Sequence, residues 1–176
     1  MIGGYFSHGP QAGEFQFASF ASVPQRELGP AGAPRKSRAA VAAAHGLTEE
    51  DLGSLDSAVF LAFVWQLAGR PLDAPPKWRR ERPLMVVVDN YSVHKSEPVR
   101  WEQRALAAAD IYLVYLPAYS PQWSRIEVHW KVAKYHDLVQ RSYTSLGDLK
   151  RAVEITLLER RIELRLAHAE KALHSR

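Results

Sequence analysis

The sequence predicts a layered α/β protein. Two short apolar runs, Leu84–Val88 and Ile111–Tyr115, have the length and residue types of buried strands. A helical segment precedes the first run, another lies between the two, and two more follow the second. Strands that alternate with helices along a chain are typical of a sheet covered by helices. Because Leu84–Val88 is apolar without interruption, we expect it to be a central strand buried on both faces.

The N-terminal segment is expected to form a β-hairpin. Ile2–Phe6 is short and apolar, and a turn cluster occupies His8–Gly13. Residues Glu14–Phe20 then alternate with period two, which places Phe15 and Phe17 on one face of a strand.

Helices are predicted over five segments, which are Ser37–His45, 55–68, 97–109, 124–139 and 145–170. Ser54 is expected to cap the second of these, which carries an apolar stripe at helical spacing made of Val59, Phe60, Phe63, Val64 and Leu67. In the last helix, Leu146, Leu149, Val153 and Leu157 follow helical spacing, so its first half should pack on the sheet. The half beyond Glu159–Arg161 is mostly charged and is expected to project from the body and pair with another subunit.

Composition excludes several classes of protein. Hydrophobic residues make up 47% and charged residues 24%, which argues against disorder and low-complexity architectures. No stretch approaches the ~18 apolar residues of a membrane span, and no signal peptide is apparent, so no membrane partner is expected. The absence of cysteine excludes disulfides and thiol zinc sites and fits a cytoplasmic location.

The net charge is compatible with a nucleic-acid partner. The formal charge is +4 and the pI is about 9.4. Five basic residues lie in the connector 69–83, including Arg79 and Arg80. This connector is either a solvated loop or a segment that contacts DNA phosphates.

Asp89 follows the first apolar run directly. Ligand sites in open α/β sheets gather at the carboxyl ends of strands, and Mg²⁺ prefers carboxylate oxygens. The alternative is that Asp89-Asn90 merely starts a turn.

Glu127 follows the second run after a stiff loop. The segment Leu116–Glu127 contains Pro117 and Pro121, and Glu127 falls in the first turn of the next helix. If the two strands are parallel neighbours, Glu127 comes close to Asp89, and we expect their carboxylates within roughly 10 Å. The alternative is a capping box in which Glu127 reaches back to Ser124.

The helix that contains Glu127 carries lysines on the same face as that residue. Glu127, Trp130, Lys131 and Lys134 lie at i, i+3, i+4 and i+7. Lysines beside a metal-binding carboxylate would suit a phosphodiester backbone. The alternative is an ordinary ion pair between Glu127 and Lys131, with Trp130 in the core.

Together these segments resemble the DDE transposases, in particular the mariner-like superfamily of bacterial insertion sequences. Members carry an "hhhDNxxxH" strand end and an "LPxYSPxxNxIExxWxxxK" segment. Here the first is Val86–His94, and the second runs from Leu116 to Lys134. The matching residues beside the two acids are Asn90, His94, Pro117, Tyr119, Ser120, Pro121, Trp130 and Lys134. Ser124 and Arg125 depart from the pattern, and Arg125 adds charge beside the expected DNA.

The resemblance implies a ribonuclease-H-like mixed sheet flanked by helices. It implies cleavage and transfer of double-stranded DNA, at transposon ends and target, by a carboxylate triad that holds two Mg²⁺ or Mn²⁺ ions. By position, Asp89 is the second carboxylate and Glu127 the third. Further DNA contacts are expected from Lys131, Lys134, Arg125, Arg79 and Arg80.

The family's first Asp lies on the first, central strand, and no residue here matches it. We therefore expect an incomplete metal site and a sheet without its middle strand. Residues 1–144 would be a truncated catalytic domain and 145–176 a helical extension, located with the bacterial nucleoid. The chain would be inactive alone, or would work as a homodimer or with a complementing upstream fragment.

Two other functions stay open on the residues alone. The chain could be a remnant that binds DNA or dimerises without catalysis. Alternatively, it could be an unrelated Mg²⁺-dependent phosphohydrolase built on Asp89.

Overall fold

Four strands and five α-helices make up the described part of the chain. The structure, a computed structural model, describes residues 1–23, 36–118, 120, 123–139 and 141–174. In chain order the elements are β1 (Ile2–Tyr5), β2 (Phe15–Ala18), α1 (Arg38–Ala44), α2 (Ser57–Leu67), β3 (Leu84–Val88), α3 (Glu97–Ala108), β4 (Ile111–Tyr115), α4 (Arg125–Val132) and α5 (Leu146–His174). The architecture is α/β, as predicted, with small sheets accompanied by helices.

The backbone divides into two compact units. The first consists of Met1 and Gly3–Ser54 together with His129–Arg176. The second consists of Ile2 and Leu55–Val128. The strands form two separate two-stranded sheets, β1 with β2 and β3 with β4, within the residues that the structure describes. A ribonuclease-H-like arrangement and the division at residue 144 stay predictions.

The hairpin predicted at the N-terminus is confirmed in the first unit. β1 pairs with β2, and the loop between them is closed by two backbone hydrogen bonds. The Phe6 N–H donates to the Glu14 carbonyl at 2.9 Å, and the Gly13 N–H donates to the Phe6 carbonyl at 2.8 Å. Phe15 is fully buried, so the alternating pattern of β2 directs its first aromatic side chain into the core.

Helix α1 forms where the alanine-rich run predicts it. The Ser37 hydroxyl accepts a hydrogen bond from the Ala40 N–H at 3.1 Å, which caps the first turn. On the inward side, Ala42 joins Ala21 and Leu52 in a small apolar cluster. Backbone pairing of Ala21 with Leu52 holds this cluster together.

Helix α5 packs along the hairpin within the first unit. Leu157 is buried, and the Ser19 hydroxyl donates to the Glu154 carboxylate. Farther along, a Cβ on Gly13 would lie 2.5 Å from that of His168. The hairpin loop therefore contacts α5 at His168, so the half beyond Arg161 does not project along its whole length, although no residue of 165–174 is buried. The residues that follow, up to His174, are exposed.

The second unit is built on a parallel pair of strands. β3 pairs with β4 in parallel, with Leu84 opposite Ile111 and Val88 opposite Tyr115. This confirms the neighbouring strands on which the site prediction depends. Burial of β3 on both faces was wrong, because its side chains alternate and Met85 is 69% exposed. The apolar run fixes the strand conformation, but only one face is covered.

Helices α2 and α3 accompany this sheet. The buried residues of α2 follow the predicted stripe, and they are Phe60, Phe63, Val64 and Leu67. Its cap is Asp56 rather than Ser54, because the Asp56 carboxylate accepts a hydrogen bond from the Val59 N–H at 2.9 Å. Helix α3 buries Val99 and Leu106 and contacts both α2 and β4.

The helix predicted over 124–139 changes its winding within that span. Helix α4 ends at Val132, and Ala133–Asp137 continue as a π-helical turn. A π turn takes more residues than an α turn, so the residues of this segment depart from the α-helical spacing that was used to group Lys134 with Glu127. Within the described ranges, no helix combines the length and the apolar character needed to cross a bilayer.

Candidate functional site

The carboxyl ends of β3 and β4 are tied together. The Leu116 N–H donates to the Val88 carbonyl at 2.9 Å, which continues the ladder by one residue. The Asn90 side-chain amide then donates to the Leu116 carbonyl at 2.6 Å. Asp89 lies between Val88 and Asn90, so its backbone is fixed at this edge of the sheet.

One oxygen of the Asp89 carboxylate is held by two groups. Its Oδ1 lies 2.9 Å from the Nδ1 of His94 and accepts a hydrogen bond from the Tyr91 N–H at 2.9 Å. The hydrogen bond from the Tyr91 N–H to the Asp89 side chain closes an Asx turn. Asp89 therefore does start a turn, as the alternative interpretation of this residue predicted. The side chain remains 56% exposed, and a turn residue can therefore still present a carboxylate oxygen to solvent.

His94 is fixed in turn by its surroundings. Its ring stacks at 36° on Phe60, with centroids 4.3 Å apart, and its side chain is only 13% exposed. The Tyr115 hydroxyl donates to the His94 carbonyl at 2.7 Å, and the Gln103 amide donates to that hydroxyl at 3.2 Å. These contacts limit the positions that the imidazole can take beside Asp89.

Three of these supporting residues were not predicted as part of the site. Phe60, Gln103 and Tyr115 lie on α2, α3 and β4. The sequence assigns Phe60 to a buried helix face and Tyr115 to a strand, and both assignments are correct. Their approach to His94 depends on how α2, α3 and the strands pack, which residue spacing does not encode.

Glu127 lies in the first turn of α4, as predicted. It is half-buried, and its N–H donates to the Ser124 carbonyl at 3.1 Å. The carboxylate makes no hydrogen bond or ion pair with another residue that the structure describes, so the alternative of an ion pair with Lys131 is not realised. Glu127 and Asp89 belong to the same unit.

Trp130 packs in the first unit. Its ring meets Phe15 edge-on, with centroids 5.6 Å apart and an interplanar angle of 72°. A Cβ on Gly3 would come within 2.6 Å of the indole, so only glycine leaves room for it there. The core alternative for Trp130 is therefore realised.

The arginine and lysine side chains of α4 and of the π-helical turn that follows it are accessible to solvent. Arg125, Lys131 and Lys134 are exposed. The Lys134 ammonium lies 5.0 Å from the centroid of the Tyr135 ring.

Two of the motif residues, Tyr119 and Pro121, lie outside the described residues. Of the others in that loop, Pro117 is exposed. The Ser120 hydroxyl donates to the Ala118 carbonyl at 3.3 Å.

The arginines of the connector carry structural contacts. Arg79 donates through Nε to the Asp110 carboxylate at 2.7 Å and also forms an ion pair with it. Arg80 donates to the Ala68 carbonyl at the end of α2. The Arg79 side chain is still 67% exposed, so the contact with Asp110 leaves much of it open to solvent.

His129 is a buried titratable group on the same helix as Glu127. Its ring packs against Tyr5, with centroids 4.4 Å apart. Burial, and then the positive charge of Arg160, hold the pKa of His129 below its usual value. Sequence spacing assigns no role to it, because a lone histidine carries no motif.

The described residues do not complete a two-metal centre. No group of three or more Asp, Glu or His side chains in the described ranges is arranged to share a metal ion. Mg²⁺ keeps its own waters unless several anionic ligands converge, so Asp89 and Glu127 are too few for a tight site. The incompleteness of the ligand set stays a prediction.

Comparison with known proteins agrees with the motifs. None of the curated proteins matches the chain. A family model described as "DDE superfamily endonuclease" matches residues 39–150, which is more than half of the chain and includes both Asp89 and Glu127. The chain therefore belongs to the DDE superfamily of endonucleases.

Proposed function

We propose that this chain forms part of a transposase site that cleaves and joins DNA phosphodiesters, with Asp89 and Glu127 as its acidic residues. One observation carries the proposal. β3 and β4 are parallel neighbours whose carboxyl ends are joined through Asn90, so Asp89 and the segment leading to Glu127 leave the same edge of the sheet.

Mg²⁺ or Mn²⁺ is the cofactor of the proposed activity. Carboxylate oxygens are the ligands that these ions prefer, and the second oxygen of Asp89 faces neither His94 nor the Tyr91 N–H. The remaining ligand would come from outside the described residues, for example from a second copy of this chain or from a complementing fragment.

The chain's own residues would orient the site and hold DNA. His94 fixes the direction of the Asp89 carboxylate, and Asn90 fixes the strand ends. Five basic side chains would contact phosphates, as the resemblance implies, and they are Arg125, Lys131, Lys134, Arg79 and Arg80. Exposure of most of these side chains supports this role.

A plasmid-nicking assay tests the proposed chemistry. The 176-residue chain and a longer protein that begins at the codons before Met1 would be incubated with supercoiled DNA in Mg²⁺ or Mn²⁺. We expect nicking by the longer protein and none by the shorter one, because the ligand set of the shorter one is incomplete. Asp89→Asn and Glu127→Gln in the longer protein should each abolish nicking.

Matched variants test whether nicking depends on Asp89 and Glu127 in particular or on the loss of any surface carboxylate. Asp73→Asn and Glu159→Gln remove exposed carboxylates elsewhere and should leave nicking unchanged. If the 176-residue chain alone nicks DNA and Asp89→Ala abolishes that nicking, the proposed activity is supported. The expectation that this chain lacks a metal ligand would then be wrong. If neither protein nicks DNA with either metal, the proposed activity is wrong.

One other function is favoured by a specific observation. The exposed basic residues Arg125, Lys131 and Lys134 also suit a protein that binds DNA without cutting it. Salt-sensitive, metal-independent binding by both proteins, with no nicking, would support that function. Turnover of a small phosphomonoester without DNA cleavage would instead support a phosphohydrolase.

A further inference from the structure

The outer face of α3 carries a tryptophan that packing does not need. Trp101 is 76% exposed, although α3 buries Val99 and Leu106 on its other side. Glu102 of α3 accepts a hydrogen bond from the Trp65 indole of α2 at 3.2 Å. Ser96, just before α3, shares a hydrogen bond with Ser57 of α2. An indole that the fold leaves in water is available to a partner.

Two arginines flank Trp101 on this surface. Arg100 precedes it, and Arg104 lies one turn further along. Both are exposed. We call Arg100, Trp101 and Arg104 the Trp101 face.

The position of one of these arginines is fixed. Arg100 donates through Nε to the Lys95 carbonyl at 2.9 Å, which holds its guanidinium beside the start of α3. The exposed Lys95 side chain adds a further positive charge there.

Positive charge dominates around the Trp101 face. Glu97 is the exposed acid on the same side of the helix, one turn before Trp101. The other nearby acid, Glu102, is turned toward Trp65. Three cations against one exposed acid favour a polyanionic partner.

The exposed indole indicates which kind of polyanion would bind. An aromatic ring between arginines suits a nucleotide strand whose bases are unpaired, because a base stacks on the ring while the arginines reach the flanking phosphates. In an intact duplex the bases are stacked on each other and are not available to the indole. We propose that the Trp101 face binds a short segment of unpaired DNA.

The location fits the proposed function, on which this inference rests. Lys95 follows His94, the residue beside Asp89, and α3 starts two residues later. At 1.5 Å per residue, Trp101 lies about 6 Å along the helix axis from Glu97. A strand on this face would therefore run close to the carboxyl end of β3.

Fluorescence anisotropy tests the inference without catalysis. The full chain would be titrated, in EDTA, onto a labelled oligothymidylate of about 20 nucleotides and onto a duplex of the same length. We expect Trp101→Ala to weaken binding to the single strand by about tenfold and to affect the duplex by less than about twofold. Trp101→Phe keeps a stacking ring and should recover most of the affinity.

The arginines have a matched control on another helix. R100Q/R104Q removes two charges four residues apart and should reduce the slope of log affinity against log salt by about 1.4. R161Q/R165Q removes two exposed charges with the same spacing from α5 and should leave that slope unchanged. R100Q also removes the hydrogen bond from Arg100 to the Lys95 carbonyl, so R104Q is measured alone as a variant that keeps this bond. It should reduce the slope by about 0.7.

Three results would overturn the inference. They are no binding of the single strand by wild type, equal affinity of Trp101→Ala and wild type, and equal loss of single-strand and duplex binding in Trp101→Ala. None of them bears on nicking by Asp89 and Glu127. Conversely, a failure of the nicking assay leaves the anisotropy result intact, so the two proposals fail separately.

Discussion

The imidazole Nδ1 of His94 lies 2.9 Å from the carboxylate Oδ1 of Asp89. Because the Tyr91 N–H donates to the same oxygen, the carboxylate is oriented by a hydrogen bond from the backbone and by its contact with the imidazole. His94 itself is held between Phe60 and the Tyr115 hydroxyl. The last residue of the first motif therefore supports its acidic residue.

We predict that Asp89 and His94 stabilise the fold together. His94→Phe keeps a ring against Phe60 but removes the donor to Asp89. In a double-mutant cycle with Asp89→Ala, urea unfolding should give a coupling free energy of about 0.5 kcal/mol, a modest value because Asp89 is 56% exposed. The same cycle with Ser92→Ala should give a coupling near zero, and a coupling that large there would contradict the specific pairing.

Asn90 should stabilise the site edge through its amide. Asn90→Ala removes the donor to the Leu116 carbonyl and should lower the free energy of unfolding by about 1 kcal/mol, measured in urea at neutral pH. Asn90→Asp should be at least as destabilising at pH 7, because a carboxylate faces a carbonyl oxygen. Relative to wild type, that variant should recover below about pH 4, where a protonated carboxyl can donate. No recovery in acid would contradict the hydrogen bond.

Gly147 should not tolerate alanine. A Cβ at this position would lie 2.1 Å from the Gly46 carbonyl oxygen, and that oxygen belongs to the backbone and cannot move aside. We expect Gly147→Ala to lower the free energy of unfolding by about 1–3 kcal/mol in urea denaturation. Glycine to alanine in an unobstructed helix stabilises instead, so a rise in stability would show that the Gly46 carbonyl does not lie against the first turn of α5.

Stability should fall in acid because of the charges around Lys150. Its ammonium lies 2.8 Å from the Asp51 carboxylate and 2.6 Å from that of Glu154. The hydrogen bond from Lys150, followed by those from Thr48, lowers the pKa of Asp51 to about 2. Burial raises the pKa of Glu154, but hydrogen bonds from Lys150 and Ser19 outweigh it and leave that pKa lowered.

The direction in which stability changes with pH follows from the lowered pKa values of Asp51 and Glu154. Because their pKa values are lower in the folded state than in the unfolded chain, their contribution is complete above about pH 4.5 and is lost as the pH falls toward 2. We expect the urea midpoint to decrease over this range, and to decrease less in Lys150→Met. An equal acid dependence in the two proteins would rule out Lys150 as the main cause.

Local sequence patterns determined the elements and the two acidic residues. The period-two run of β2, the apolar runs of β3 and β4 and the stripe on α2 each depend on neighbours along the chain, and all of them were predicted. The motifs placed Asp89 after β3 and Glu127 in the first turn of α4 for the same reason.

Only the tertiary structure decided which groups surround those residues. The sequence does not show that Met85 would remain exposed, that Trp130 would pack on Phe15, or that Phe60 and Tyr115 would hold His94. Each of these depends on contacts between segments far apart in the chain. Hydrophobic pattern and motif spacing describe a residue's neighbours in sequence, whereas packing and hydrogen bonding depend on its neighbours in space.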